Sequence, residues 1–212
     1  MVLEKSFNNC WQCPFWSSND GKIHAFVPGE SNCEILDMVK VLVLAEAPAK
    51  NEWSASRPLA PQGTAGKRFR TQMERSGLAK IPHYIANVVM CTNLENTSKN
   101  RIKNHNPPEN VRLRCLSHWQ RLVQACRPEV VFLLGATALK SVCPQMDLGK
   151  NSFAQIRRES NGSRLNFLPG CPQVVVTHHP SRLTYQAAGN SVWQQFTEDF
   201  ETVVRLAEKA SE

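Results

Sequence analysis

The sequence predicts an α/β protein: a three-layer α/β/α sandwich around a central four-stranded parallel sheet. Three observations lead there. Four short apolar runs, 40–44, 84–90, 130–134 and 174–177, are rich in β-branched residues and lack strict alternation, as strands covered on both faces do. Amphipathic stretches lie between and after these runs, and strands alternating with helices build layered α/β folds. The chain has 212 residues, 42% of them hydrophobic and 20% charged, enough for one buried core and too few for two unrelated large domains. We therefore expect a single domain over 1–212.

Each helix has its own signal. In 64–76, Phe69 and Met73 stand four apart among Lys67, Arg68, Arg70 and Arg75, and Gly77 is placed to end the helix. Pro107 and Pro108 open a second helix that carries Leu113, Leu116, Trp119, Leu122 and Val123 and stops before Pro128. A short helix is expected over 136–142 and a last one over 191–209, with Phe196, Phe200, Val203 and Val204 facing inward. The segments 10–33, 47–63, 91–107 and 150–172 read as irregular.

Composition narrows the function. The charged content argues against disorder, no apolar run is long enough for a membrane span, and the polar start carries no export signal. A cytoplasmic protein, associated with the nucleoid, is expected. The 25 Lys and Arg outweigh 18 Asp and Glu by seven charges, which favours a polyanionic partner. Eight cysteines in a reducing compartment point to metal or redox chemistry rather than disulfides.

In an open parallel sheet the ligand crevice lies beyond the carboxyl ends of the strands, and three of these ends carry unusual residues. Glu46 precedes Pro48 after the first strand, where partial burial can tune a carboxylate for base or electrostatic work. Asn87 lies within the second run, its amide edge suited to reading a base or to a structural hydrogen bond. His179, in the turn His178-His179-Pro180-Ser181, can donate to a developing anion. Gly63, Thr64 and Lys67 open a helix as an anion site would, or Thr64 simply caps it; the P-loop spacing is absent. Lys99, Arg101, Lys103, His105 and Arg112 make the inserted loop, about 92–107, a basic DNA contact or a solvated face.

Cys10 and Cys13 form a C-x2-C knuckle within an N-terminal segment of about 1–35. Cys91 and Cys115 supply two further thiols, giving a set that zinc or a cubane iron–sulfur cluster would accept. The other reading makes Cys91 and Cys115 buried small hydrophobes, like Cys126 and Cys143, with Cys33 and Cys171 spare.

In order along the chain, these segments resemble the uracil-DNA glycosylase superfamily, most closely its iron–sulfur branches, families four and five. The carrying motifs are the C-x2-C, Ala45-Glu46-Ala47-Pro48-Ala49, Arg57-Pro58-Leu59, Thr64-Ala65-Gly66, the run 84–91, Cys115, Leu134-Gly135-Ala136 and His179-Pro180-Ser181. The resemblance implies an enzyme, a monofunctional DNA glycosylase. It flips a base from DNA and hydrolyses its N-glycosidic bond, leaving an abasic site. It implies a structural 4Fe-4S cluster on Cys10, Cys13, Cys91 and Cys115. It also implies catalytic roles for Glu46 and His179, base contacts from Asn87, Ala47 and Leu59, and a phosphate and stacking grip by Ser181, Arg182 and Leu183. Base-excision repair is the implied setting, with DNA as partner and with no redox or nucleotide cofactor. The protein is expected to act as a monomer.

Two departures shape the substrate expectation. Leu59 stands where uracil-specific members place Phe, and the loop between Cys91 and Cys115 is longer than usual, which suits uracil or a bulkier modified pyrimidine such as a modified cytosine of viral DNA, in antiviral defence. The stretch 101–105 is similar to the uracil-trapping UdgX branch, whose histidine bonds covalently to the abasic sugar. Here Lys103 takes that histidine's place and His105 follows two residues later. The alternatives are thus a covalent uracil-DNA trap, or a metal-stapled DNA-binding protein without catalysis.

Overall fold

A computed structural model describes residues 10, 13–15, 19–97, 101–146, 148–186 and 190–209. Lys99 and the two residues between Cys10 and Cys13 lie outside the described residues. The central strands are β3 (Val41–Ala45), β4 (His83–Asn87), β7 (Val130–Leu134) and β8 (Gln173–Thr177). They are parallel, in the order β4-β3-β7-β8, with Val41 opposite both His83 and Val130, and Val130 opposite Gln173. A fifth strand, β2 (Glu30–Ser31), adds an antiparallel edge against β4.

Strand alternation sorts the side chains into two layers. Val41, Val43, Ile85, Phe132, Leu134 and Val175 face one side, where α2 (Thr64–Ser76) and α6 (Ser191–Lys209) contribute Phe69, Met73, Phe196, Phe200 and Val203. Leu42, Leu44, Ala86, Val131, Leu133, Val174 and Val176 face the other. There α3 (Glu109–Cys126) supplies Trp119, Leu122 and Val123, and α4 (Gly135–Val142) supplies Ala138 and Leu139. Both faces are dry, so the strands read as continuous apolar runs, and the three-layer sandwich stands as expected.

The helix boundaries follow the local chemistry. Pro108, at φ −61°, precedes α3, and Arg127 in the left-handed region ends it before Pro128. Gly77 closes α2 at φ 84°, a conformation that glycine adopts without strain. The residue capping the start of α2 is Gly63, and Thr64 is the first helical residue with no capping bond.

Several expectations need correction: the sheet has five strands rather than four, and segment 10–33, read as irregular, contains the two-residue strands 22–23 and 30–31. The second strand ends at Asn87 rather than at 90, so Asn87 sits at the carboxyl edge of the sheet and not mid-strand. Beyond it the chain still leans on the end of β3, with Val88 N–H donating to Ala45 O at 2.8 Å and Val89 N–H to Glu46 O at 3.0 Å. The inserted loop is a hairpin of β5 (Leu94–Asn96) and β6 (Ile102–Asn104), joined to β1 (Lys22–Ile23) in a small antiparallel sheet. Its polar three-residue strands carry no apolar alternation; cross-strand backbone bonds and the opposite charges of Glu95 and Lys103, paired in register, hold them together.

Segments 47–63 and 150–172 each contain a short helix, α1 (Lys50–Ala55) and α5 (Phe153–Ser160). A polar network holds α5 in place: Arg157 Nε donates to Asp199 Oδ2 at 2.7 Å, and Asn161 links Asp199 to the backbone N–H of Val176. Burial pushes the Asp199 carboxyl up to about 6, against the pull of Arg157.

Phe200 is fully buried against Phe69, Phe132 and Phe196, its ring centroid 4.9–5.5 Å from theirs. Phe200→Ala is expected to lower stability by about 3–5 kcal/mol in denaturant unfolding, the cost of an unfilled aromatic site.

Candidate active site

The carboxyl ends of the parallel strands converge as the topology requires. Glu46 follows the last residue of β3, Asn87 is the last residue of β4, Gly135 follows β7 and His179 comes two residues after β8. A cavity of about 270 Å3 opens there, lined among others by Glu46, Ala47, Leu59, Gly63, Thr64, His105, His179 and Ser181. Gly135 makes the convergence tight: at φ 88°, a Cβ on it would come within 2.8 Å of the His179 Cβ.

Two titratable groups on the cavity wall, Glu46 and His179, are tuned in opposite directions. Burial raises the Glu46 carboxyl above its ordinary value, while a hydrogen bond from Thr137 and the charge of Arg112 pull it back. Its Oε1 is buried without a partner. The His179 ring is enclosed on most sides although part of it opens on the cavity, and burial pushes it down to about 4. It is therefore neutral near pH 7. Its Nδ1 accepts from the Ser181 N–H at 3.3 Å and lies 2.8 Å from the Ser181 hydroxyl. A backbone N–H can only donate, so the ring proton sits on Nε2 and is free to donate in turn.

Asn87 is 2% exposed, and neither polar atom of its amide makes a hydrogen bond. The Glu52 carboxylate lies near enough to be favoured electrostatically by that amide, but no bond is formed between them. No motif in the sequence marks Glu52. It accepts from the Ala49 N–H at 2.9 Å and the Leu59 N–H at 2.7 Å, tying the start of α1 to Leu59 on the cavity wall. Only a Ser or Thr three residues earlier would have marked it as half of a capping box, and that position holds Ala49. The cavity lining also includes Asn51, Asn104 and Asn106, which no motif marks.

The remaining candidates divide. Ala47 and Leu59 line the cavity, and Leu59 also packs into the core at φ 48°. His105 reaches the cavity with Glu95 2.7 Å from its Nε2, whereas Arg101 and Lys103 are exposed residues of the hairpin outside the lining. Lys67 and Arg182 are exposed and Ser181 stands at the cavity rim, as a phosphate grip requires. Leu183 does not fit its expected part. It is 1% exposed and belongs to the core with Phe196 and Phe200, so it cannot enter a base stack. The exposed apolar side chain of that turn (Pro180–Tyr185) is Tyr185, at 87%.

The four motif cysteines come together beside the site. Cys13, Cys91 and Cys115 share a small apolar cluster with Phe15, Val89, Val111 and the cavity residue Ala47. Cys10 places its Sγ 3.4 Å from Nε2 of His118. Burial pushes Cys91 and Cys115 up to about 12, and nearby thiols add to it: Cys115, Cys10 and Cys13 around Cys91, and Cys13 and Cys10 around Cys115. Among the described residues no three His, Cys, Asp or Glu converge closely enough to hold a single metal ion. Cys126 and Cys143 are core residues.

A buried carboxylate beside open space stabilises the fold only when protonated. Both states of Glu46 are protonated well below its ordinary value of 4.5, and the cost of charging it in the folded protein grows as pH rises through its elevated value. Glu46→Gln is thus expected to raise the melting temperature at pH 8 and leave it nearly unchanged at pH 4, as scanning calorimetry would show.

The family model of the uracil DNA glycosylase superfamily matches residues 34–201. The type-4 uracil-DNA glycosylase of Saccharolobus solfataricus is 25% identical over 208 residues, covering 95% of this chain and 83% of that one. The type-4 enzyme of Thermotoga maritima is 26% identical over 182 residues, covering 86% and 81%. The crystal structure of SMUG2 from Pedobacter heparinus superposes with a TM-score of 0.52 at 11% identity, over 81% of this chain and 77% of that one, a likeness of fold. Glu46 and His179 line the cavity and Asn87 ends the neighbouring strand β4 outside that lining; all three lie within the span matched by the family model, and the chain belongs to the uracil DNA glycosylase superfamily.

Proposed function

We propose that this chain is a monofunctional DNA glycosylase that takes a flipped uracil, or a bulkier modified pyrimidine, into the 270 Å3 cavity and hydrolyses its bond to the sugar. The observation that carries the reading is the pairing of a carboxylate with a neutral imidazole donor on the wall of one cavity. As the N-glycosidic bond breaks, its electrons pass to the base and the Nε2–H of His179 donates to the resulting anion. Glu46 offsets the positive charge that develops on the sugar and takes a proton from the attacking water, whose hydroxyl bonds to the anomeric carbon. Asn87 offers an unpartnered donor and acceptor to the base edge. Lys67, Ser181, Arg182 and the helix start at Gly63 and Thr64 hold phosphates, Arg101 and Lys103 extend the basic surface, and Tyr185 takes over the stacking part expected of Leu183.

The bulkier substrate is supported by the small side chains of Ala47, Ala49, Ala60 and Ala65 around the cavity and by Leu59 turned into the core. A modified cytosine of viral DNA would make the protein a defence enzyme. A second reading has its own support: His105 lines the cavity beside Glu95 at 2.7 Å, so a covalent adduct with an abasic sugar would show as a denaturant-resistant band. No helix among the described residues is long and apolar enough to cross a membrane.

The thiol quartet fits an iron–sulfur cluster. Cys13, Cys91 and Cys115 share one apolar cluster, Cys10 is near enough to raise the Cys91 and Cys115 thiols, and a cubane takes four such thiolates. Cys10, Cys13, Cys91 and Cys115 would hold it, and its contribution there is structural, joining the N-terminal segment to α3 and to the start of the hairpin. Cys115→Ser is expected to lose bound iron and sulfide, measured by colorimetric analysis, and to lower the melting temperature.

The decisive test is mass spectrometry of bases released from uracil-containing and heavily modified viral DNA. Release is expected from at least one of them, and Glu46→Gln should slow it by about 10²–10⁴-fold with DNA affinity retained. Absence of any release would leave the non-catalytic DNA-binding protein as the better description.

A further inference from the structure

Leu59 holds a backbone conformation, φ 48°, that a leucine keeps only when its surroundings impose it. Here they do so from three sides. Its N–H donates to Glu52 Oε1 at 2.7 Å, and its carbonyl accepts from Arg70 Nε at 3.2 Å. The preceding carbonyl, of Pro58, accepts from Arg70 Nη2 at 2.9 Å. On the third side helix α2 presses in at Gly66, where a Cβ would lie 2.0 Å from the Ala60 carbonyl oxygen.

Arg70 is itself held by a carboxylate outside the cavity. Its guanidinium forks onto Glu30, with Nη1 at 3.2 Å from Oε1 and Nη2 at 2.5 Å from Oε2. The same carboxylate receives Arg57 at 3.1 and 2.7 Å. Glu30 belongs to the edge strand β2, whose seat depends on Gly29, since a Cβ there would meet the Tyr84 ring at 2.2 Å. Neither Glu30, Arg57 nor Arg70 lines the cavity.

We propose that Glu30 is a positioning residue for base selection: by aiming Arg70 at the Pro58 and Leu59 carbonyls it fixes the cavity wall against which a base is measured. The proposal rests on the reading of the cavity as a base pocket. A pocket tells apart two bases that differ by one substituent only as well as its wall stays in place. With Glu30 neutralised, one partner of the fork is weakened, Arg70 regains rotational freedom, and Leu59 relaxes toward the extended region it prefers. The edge strand, far from the reacting bond, thereby sets selectivity. A bidentate fork needs both the carboxylate and the planar guanidinium, so Arg70→Lys should act like Glu30→Gln.

Two readouts test this. Hydrogen exchange over 57–61, followed by mass spectrometry, is expected to quicken by about tenfold in Glu30→Gln while the amides of β3 and β7 stay protected. Unchanged exchange over 57–61 would overturn the clamp whether or not the protein is a glycosylase. Single-turnover rates on duplexes containing uracil or 5-hydroxymethyluracil are then compared. The ratio of the single-turnover rates on the two bases should move about tenfold toward one in Glu30→Gln, similarly in Arg70→Lys, and no further in the double variant. A uniform drop on both bases, or additive effects in the double variant, would make Glu30 merely structural. A wild-type protein that releases neither base, with exchange quickened as expected, would refute the choice of substrate while leaving the clamp in place.

Discussion

A parallel sheet dry on both faces governs everything else in this molecule. Because β3, β4, β7 and β8 bury alternate side chains above and below, none of their central residues is free to carry polar chemistry. Polar groups are admitted only where the strands stop, and in a parallel sheet all four stop at the same edge. Glu46, Asn87 and His179 all stand at that edge because the dry core has no place for them.

The same dryness sets their electrostatics. In a carboxyl and an imidazole taken from water the charged forms are both disfavoured, and the consequences differ. Glu46 is made readier to accept a proton, while His179 is kept neutral with its remaining proton aimed outward by the Ser181 N–H. One physical cause thus readies one group to take a proton and keeps the other neutral, at the ends of two strands of one sheet.

How far the sequence reveals this depends on whether a feature is written in local pattern. The four strands and the helices 64–76, 109–126 and 191–209 are visible because burial periodicity spans many residues in each. The hairpin that leads to His105 is invisible for the opposite reason: its three-residue strands are too short to show a period, and the first of them takes its other partner from 22–23, far along the chain. Glu46, His179 and the motif cysteines are readable because each stands beside a proline, a turn or a fixed spacing. Glu52 and Glu30 have no such neighbours, since their work is done on backbone atoms of distant segments. Leu183 misleads because its motif context says surface, while the turn it sits on rotates it into the core beside Phe196.

The contact between Gly135 and His179 has an evolutionary side. Position 135 is closed to every side chain twice over, by its backbone angle and by the 2.8 Å approach to the His179 Cβ. Variation there cannot retune the donor without dislodging it. The partly exposed Ala47, Ala49 and Ala65 and the exposed Asn104 and Asn106 stand on the cavity surface at ordinary backbone angles. Descendants of this chain seeking a new base would drift on the alanine and hairpin walls while the β7 corner stayed frozen, so diversity in the lineage should be lopsided around a single fixed hinge point.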